Sequence, residues 1–214
     1  MRTLIAIPCM DTVHTIFFKS VLGLQREGEC RFALSCSSLV YDARNKLVNQ
    51  AIAEGYDRIL WLDSDMDFQP DLLIRLSKTM EETGADLVSA LYFTRKAPVQ
   101  PVIYNEVGYY HSEERNEVTP HCVSYKDYPV NSVFEISGCG FGGVLMTVDI
   151  AKKVEEKYGV PFSPILGFGE DLSFCLRVEE CGGKMVCDSR IKMGHVGLGT
   201  ITEEVYMQQG AIHG

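Results

Sequence analysis

The chain has 214 residues, of which 46% are apolar and 23% charged, and these values are ordinary for a globular protein. This length favours one domain, which would bury about 70% of the surface that its unfolded chain exposes. The formal net charge of -9 argues against duplex nucleic acid or an anionic membrane as the main partner, unless a local basic patch overrides it.

Eight cysteines are present, but none forms a C-x-x-C pair, and the start of the chain does not have the pattern of a secretory signal. The apolar run "TLIAIPCM" is too short for a signal-peptide core and far too short to span a bilayer. We therefore expect reduced cysteines that fill the core, no transmembrane segment and a cytoplasmic location.

The first 92 residues alternate between strand and helix patterns. After the strand in "TLIAIPCM", apolar spacing predicts a helix that ends at Gly28, and "RFALSC" predicts a second strand. A helix with Asp42 as its possible N-cap leads to the strand "DRILWLD", and a helix from Pro70 to Gly84 leads to the strand "DLVSALY". This alternation predicts a mostly parallel, doubly wound sheet, in which ligands bind beyond the carboxyl ends of the strands.

Shorter aromatic and polar segments follow Tyr92 and predict antiparallel strands and hairpins. Residues 144–148 then read as a strand, 149–158 as a helix, and a further helix runs from near Glu170 to Gly182 or Gly183. The strand "KMVCDSR" and the segment "MGHVG" come next, and the polar tail, residues 200–214, has no assignable pattern.

Three aspartates close the apolar strand in "RILWLDSDMDF", residues 58–68. If the strand continued, Asp63, Asp65 and Asp67 would project from one face, and a divalent cation would be needed to neutralise them. The alternative is a solvated acidic turn. A calcium EF-hand is excluded because its sixth and twelfth positions require glycine and glutamate, and here they hold Phe68 and Ile74.

A set of six strings resembles the small stand-alone glycosyltransferases of GT-A fold, similar to the family-two type, that are common in phages and bacteria. The strings are "LIAIP", "ARNKLVNQAIAEGYDRILWLDSDMDFQPDLLIRL", "DLVSALYFTRKAP", "SGCGFGGVLM", "GFGEDLSFCLRV" and "GHVG". The resemblance implies an α/β GT-A fold over residues 1–214, with a mostly parallel central sheet flanked by helices and a smaller antiparallel acceptor-side portion. Residues 1–92 would then form the nucleotide-binding half and 93–199 the acceptor-side half.

The same resemblance implies a nucleoside diphosphate sugar as donor, with UDP favoured, and a divalent cation. Asp65 and His195 would bind the cation, and Asp63 would orient the donor ribose or reach the cation through water. Because imidazole joins carboxylate in this ligand set, Mn²⁺ is favoured over Mg²⁺. The remaining donor-binding residues that the resemblance indicates are Pro8, Asp11, Arg44, Asn45, Ser64, Arg95 and Gly138.

Glu170 and Asp171 form a second acidic pair at the start of a predicted helix, where they could simply cap it. Resemblance to the "ED" motif of inverting family members makes Asp171 the general base that takes the acceptor hydroxyl proton. Glu170 could share or take that role.

The sequence is also compatible with two other functions. A phosphatase of the haloacid dehalogenase type also carries D-x-D after a strand, although on its first strand, and a non-catalytic nucleotide-sugar or carbohydrate-binding protein could retain the fold. The acceptor could be a glycan, a protein or a modified DNA base, and nothing in the sequence indicates the oligomeric state.

Overall fold

Buried apolar strands form the centre of the computed structural model, which describes residues 1–112, 117–197 and 200–212. The strands are β1 (Arg2–Cys9), β2 (Glu29–Cys36), β3 (Arg58–Leu62), β4 (Met66–Asp67), β5 (Leu87–Leu91), β6 (Ile103–Ser112), β7 (Glu117–Ser124), β8 (Val133–Glu135), β9 (Gly138–Cys139), β10 (Gly143–Thr147), β11 (Met185–Lys192), β12 (Gly194–Val196) and β13 (Thr200–Ile201). The helices are α1 (Thr15–Gly23), α2 (Val40–Ala53), α3 (Leu72–Thr83), α4 (Val148–Tyr158), α5 (Glu170–Glu180) and α6 (Glu203–Ile212).

A seven-stranded sheet in the order β2-β1-β3-β10-β5-β11-β8 organises the fold. Strand β1 pairs in parallel with β2 and β3, and β5 pairs in parallel with β11, whereas β10 and β8 run antiparallel to their neighbours. Two three-stranded sheets, β13-β12-β4 and β7-β6-β9, are antiparallel. The predicted class, a mostly parallel central sheet with a smaller antiparallel portion, is confirmed. Because β10 lies between β3 and β5, the chain on either side of residue 92 contributes to the same sheet.

Each face of the central sheet carries its own apolar core. Alternation along β3 turns Ile59 and Trp61 towards one face and Leu60 and Leu62 towards the other. Buried residues of α2, α4 and α5 pack on the first face, and those of α1 and α3 pack on the second. Trp61 is fully buried in the first core.

Helices α1, α2 and α3 have boundaries that differ from the sequence-based expectation. Helix α1 ends at Gly23 instead of continuing to Gly28, because the chain turns extended at Leu24 and buries that side chain in the second core. Helix α3 starts at Leu72, two residues after Pro70. Helix α2 starts at Val40, which leaves Asp42 in the first turn instead of at the N-cap.

The unassigned tail contains α6, which packs against the rest of the fold through aromatic rings. The ring of Tyr206 stacks on Phe93 with centroids 4.6 Å apart. Within the described residues, every helix is too short or too polar to cross a membrane.

Candidate functional site

A cavity of about 730 Å³ opens beyond the carboxyl ends of β1, β2, β3 and β5, where a doubly wound sheet is expected to bind ligands. It brings together nine of the twelve site residues indicated by the sequence: Pro8, Arg44, Asp63, Ser64, Asp65, Arg95, Glu170, Asp171 and His195. These nine come from six separate segments, so the fold gathers side chains that are far apart in the chain.

The aspartate run leaves the strand instead of extending it. Strand β3 ends at Leu62, and residues 63–66 form a turn in which the Met66 N–H donates to the Asp63 carbonyl over 3.2 Å. The strand does not continue through the aspartates, so the three carboxylates do not project from one strand face, and the turn that the sequence left open as the alternative is the one observed. Asp67 points elsewhere and accepts a hydrogen bond from the Ser20 hydroxyl at 3.0 Å.

Backbone hydrogen bonds from three distant segments hold this turn. The His14 N–H donates to the Ser64 carbonyl (2.9 Å), the Asp63 N–H donates to the Gly142 carbonyl (3.3 Å), and the Val196 N–H donates to the Asp65 carbonyl (2.8 Å). The last bond continues the pairing of β12 with β4. As a result, Asp65 and His195 meet although 130 residues separate them in the chain.

His195 faces Asp65 with its Nε2 atom, which lies 3.5 Å from the Asp65 Oδ2. Its Nδ1 is 2.8 Å from the Phe93 carbonyl, and since a carbonyl oxygen only accepts, Nδ1 carries the proton. In neutral His195, Nε2 therefore carries a lone pair, which faces the Asp65 carboxylate. Only a proton or another cation between the two atoms removes this electrostatic repulsion.

The same electrostatics shift both pKa values. Burial raises the pKa of Asp65, but the hydrogen bond and charge of His195 and the charge of Arg95 outweigh it, and the net pKa is lowered. Burial lowers the pKa of His195, but its bonds to Asp65 and Phe93 outweigh that effect, and the net pKa is raised. Arg95, whose side chain is half exposed, also forms an ion pair with the Asp65 Oδ2. Positive charge thus already gathers at this oxygen.

Arg44 is buried between the two acidic parts of the site. Its Nη2 donates to Asp63 at 2.8 Å and its Nε to Glu170 at 3.2 Å. The guanidinium carbon lies 5.5 Å from the ring centroid of Trp61 and 5.4 Å from that of Phe141, within range of a cation–π interaction. Within the described part of the chain, its Nη1 has no hydrogen-bond partner.

Asp171 is the acidic neighbour that Arg44 does not bind directly. Its Oδ1 accepts the Leu172 N–H at 2.8 Å. Burial, aided by the charge of Glu170, raises the pKa of Asp171 to about 6, against the opposing effects of the Leu172 N–H and the charge of Arg44. This carboxyl can take up a proton near neutral pH, as a general base must.

The other three candidate residues lie outside the described lining of the cavity. Asp11 is exposed in the loop after β1. The side-chain oxygen of Asn45 accepts the Phe162 N–H at 2.9 Å. Gly138 is buried in β9, where an added Cβ would lie 2.9 Å from the Val107 side chain, so packing within the protein explains the glycine.

Several lining residues were not singled out in the sequence. Ser37 and Ser38 follow β2 directly, and the rule that ligands bind at carboxyl strand ends could have indicated them. Tyr92 and Val102 also line the cavity. The Tyr92 hydroxyl accepts the Gly142 N–H at 3.1 Å, a contact for which the sequence carries no signal.

The donor set suits a divalent cation only in part. Across residues 1–112, 117–197 and 200–212, no three His, Cys, Asp or Glu side chains converge as a complete metal site. Asp65 and His195 supply one carboxylate and one imidazole, so further ligands would have to come from a bound molecule or water. Asp63 is engaged by Arg44 instead.

Comparison with known proteins identifies the fold only. No family model matches the chain, and no curated protein sequence matches it. The viral protein A197 from STIV matches with 19% identity and a TM-score of 0.63, over 92% of this chain and 86% of that one. GalNAc-T7, solved with UDP, GalNAc and Mn²⁺, matches with 9% identity and a TM-score of 0.61, over 92% of this chain and 44% of its own. The chain has the fold of the GT-A glycosyltransferases.

Proposed function

We propose that the protein is a metal-dependent glycosyltransferase that moves a sugar from a nucleoside diphosphate donor, UDP-sugar in the first instance, to a hydroxyl acceptor with inversion. The observation that carries this proposal is one cavity holding both the Asp65–His195 pair and the proton-accepting Asp171. The GT-A fold and a neighbour solved with UDP and Mn²⁺ support the choice of donor and cation.

Asp65 and His195 would hold the cation. The Phe93 carbonyl fixes the imidazole tautomer that leaves Nε2 free to act as a ligand. When bound, a divalent cation stabilises the negative charge that develops on the departing diphosphate. Arg95 and Lys96 line the same part of the cavity and add positive charge where a diphosphate would lie.

Asp171 is better suited than Glu170 to act as the base. The Glu170 carboxylate is held by Arg44, whereas Asp171 has one oxygen on the Leu172 N–H and the other unengaged within the described residues. Asp171 therefore removes the acceptor hydroxyl proton as that oxygen attacks the sugar carbon from the face opposite the diphosphate. Glu170 acts through Arg44 as a positioning residue.

Binding of the donor tests whether the site needs a cation held by Asp65. Thermal unfolding in UDP-, GDP-, CDP- and dTDP-sugars, each with and without Mn²⁺, should show a metal-dependent rise in Tm for one nucleotide, because a ligand of the native state stabilises it by mass action. Asp65→Asn should remove that rise. Asp67→Asn, which alters an aspartate held by Ser20, should retain it. No rise with any nucleotide would refute the donor site.

The pH dependence of turnover tests the base. With UDP release to water or a simple alcohol as the readout, kcat/KM should increase about tenfold per pH unit below the pKa of Asp171, about 6, and level off above it, because only the carboxylate accepts a proton. Asp171→Asn should keep the donor-induced rise in Tm and lose turnover. Equal turnover in the variant would instead favour a different base, and no turnover in either protein would favour a binding protein.

Replacement of Arg44 tests whether its ion pairs with Asp63 and Glu170 stabilise the fold. Arg44→Met should lower the free energy of unfolding by about 3 kcal/mol, the lower end for a broken buried ion pair, because Asp63 is partly exposed. Arg31→Met, which removes an exposed pair with Glu54, should cost at most about 1 kcal/mol in the same urea titration.

The Arg44→Met variant should also move the rise of kcat/KM to higher pH, because the charge of Arg44 lowers the pKa of Asp171. An unchanged pH profile together with near-native stability would contradict a positioning role for Arg44.

A further inference from the structure

Two cysteine side chains meet at the open end of the central sheet. Cys9 ends β1 and Cys36 ends β2, and the two residues are directly paired in the parallel register. Their sulfur atoms lie 3.5 Å apart. Neither side chain is part of the proposed reaction, so their juxtaposition requires a separate explanation.

These two cysteines depart from the expectation that all the cysteines fill the core. Cys139, Cys175 and Cys187 are buried as expected, but Cys36 is exposed and Cys9 is half-buried. Cys9 also lines the candidate donor cavity. The pair is therefore accessible from solvent and adjacent to the site.

The geometry is close to that of a disulfide. A covalent S–S bond is about 2.05 Å long, so the sulfurs need to approach by about 1.5 Å. Paired residues on neighbouring strands are separated by about 5 Å, which falls within the Cα–Cα range of disulfides. Side-chain rotation thus provides most of the movement, and the strands can stay paired.

We propose that Cys9 and Cys36 form an oxidation site, at which a peroxide converts the two thiols to a disulfide that reshapes the part of the cavity wall formed by the ends of β1 and β2. The Cys36 thiol loses its proton, and the thiolate attacks one peroxide oxygen, breaks the O–O bond and becomes a sulfenic acid, while the departing hydroxide takes up the proton as one water. The Cys9 sulfur then attacks the Cys36 sulfur, and the Cys9 thiol proton leaves with the sulfenic oxygen as a second water. Two thiols are oxidised by two electrons, and one peroxide is reduced.

The order of attack follows from the surroundings of each thiol. Burial, together with the hydrogen bond to Cys36, raises the pKa of Cys9 to about 11, which keeps this sulfur protonated at neutral pH. Cys36 is the exposed partner that meets the peroxide first. Cys9 is already within contact distance and traps the sulfenic acid before further oxidation.

The bond would affect the donor cavity through the backbone that joins the two strand ends. The Ser37 N–H donates to the Cys9 carbonyl at 3.1 Å, and Ser37, Ser38 and Met10 line the cavity on either side of the pair. Drawing the two sulfurs together moves the Cys9 side chain out of its place in the wall. We expect the oxidised protein to bind nucleotide less tightly, and this consequence rests on the proposed donor site.

Peroxide treatment of the native full-length protein tests the site itself. The thiol count under denaturing conditions should fall from eight to six, and the intact mass should fall by about 2 Da. Proteolysis should yield one cross-linked peptide that joins Cys9 to Cys36, and a dithiol reductant should reverse both changes. Cys36→Ser should keep all its thiols, whereas Cys122→Ser, which removes another exposed cysteine, should still lose two.

Absence of the Cys9–Cys36 cross-link, or oxidation that stops at a single-cysteine acid, would overturn the inference. A trivalent arsenical that bridges paired thiols gives an independent measurement: the reduced wild type should bind one equivalent in the presence of excess monothiol, and Cys36→Ser should not.

The effect of oxidation on nucleotide binding is measured separately. The Mn²⁺-dependent rise in Tm should shrink in the oxidised protein and return after reduction. An unchanged rise after complete cross-linking would overturn the effect on the cavity. If the reduced protein shows no rise with any nucleotide while the cross-link still forms, the donor site fails and the oxidation site stands.

Discussion

The arrangement of the site depends on the ion pairs of Arg44. A guanidinium that is 2% exposed carries its charge where water cannot solvate it, so it requires carboxylates at fixed distances. Asp63 and Glu170 supply them, one at the end of β3 and one at the start of α5. Any packing of α2, β3 and α5 that separated these groups would leave an uncompensated buried charge. The ion pairs thus fix three elements relative to one another.

The proposed cation ligands and the proposed base both lie next to carboxylates that Arg44 binds. On one side, Asp63 begins the turn that presents Asp65 to His195. On the other, Glu170 precedes Asp171, whose unusual basicity comes from burial and from the charge of that neighbour. A donor diphosphate near Asp65 and an acceptor hydroxyl near Asp171 would therefore be held in a geometry that the protein sets before either ligand binds. Because Arg44 binds both carboxylates, its replacement should affect both donor binding and removal of the acceptor proton.

Much of this could be predicted from sequence because periodic patterns report which face of an element is buried. The alternation of strand and helix patterns predicted the sheet. The rule that ligands bind beyond the carboxyl ends of strands predicted the position of the cavity, which holds nine of the twelve candidate site residues. The sequence left the aspartate run open between a continuing strand and a turn, because nothing in its composition distinguishes a strand from a turn that distant backbone segments hold. Asn45 and Gly138 satisfy internal contacts, and the thiol pair arises from strand register. Both depend on tertiary neighbours that local patterns do not encode.

Asp65 and His195 are proposed to hold a divalent cation together, next to the donor. Pulsed electron paramagnetic resonance of Mn²⁺ bound to the protein with UDP tests this proposal most directly, because coupling to an imidazole nitrogen identifies a histidine ligand. We expect a nitrogen coupling in the wild type that disappears in His195→Gln and persists in His14→Gln, which changes the histidine that caps α1. Protein-bound Mn²⁺ and UDP without any nitrogen coupling in the wild type would contradict cation binding by His195.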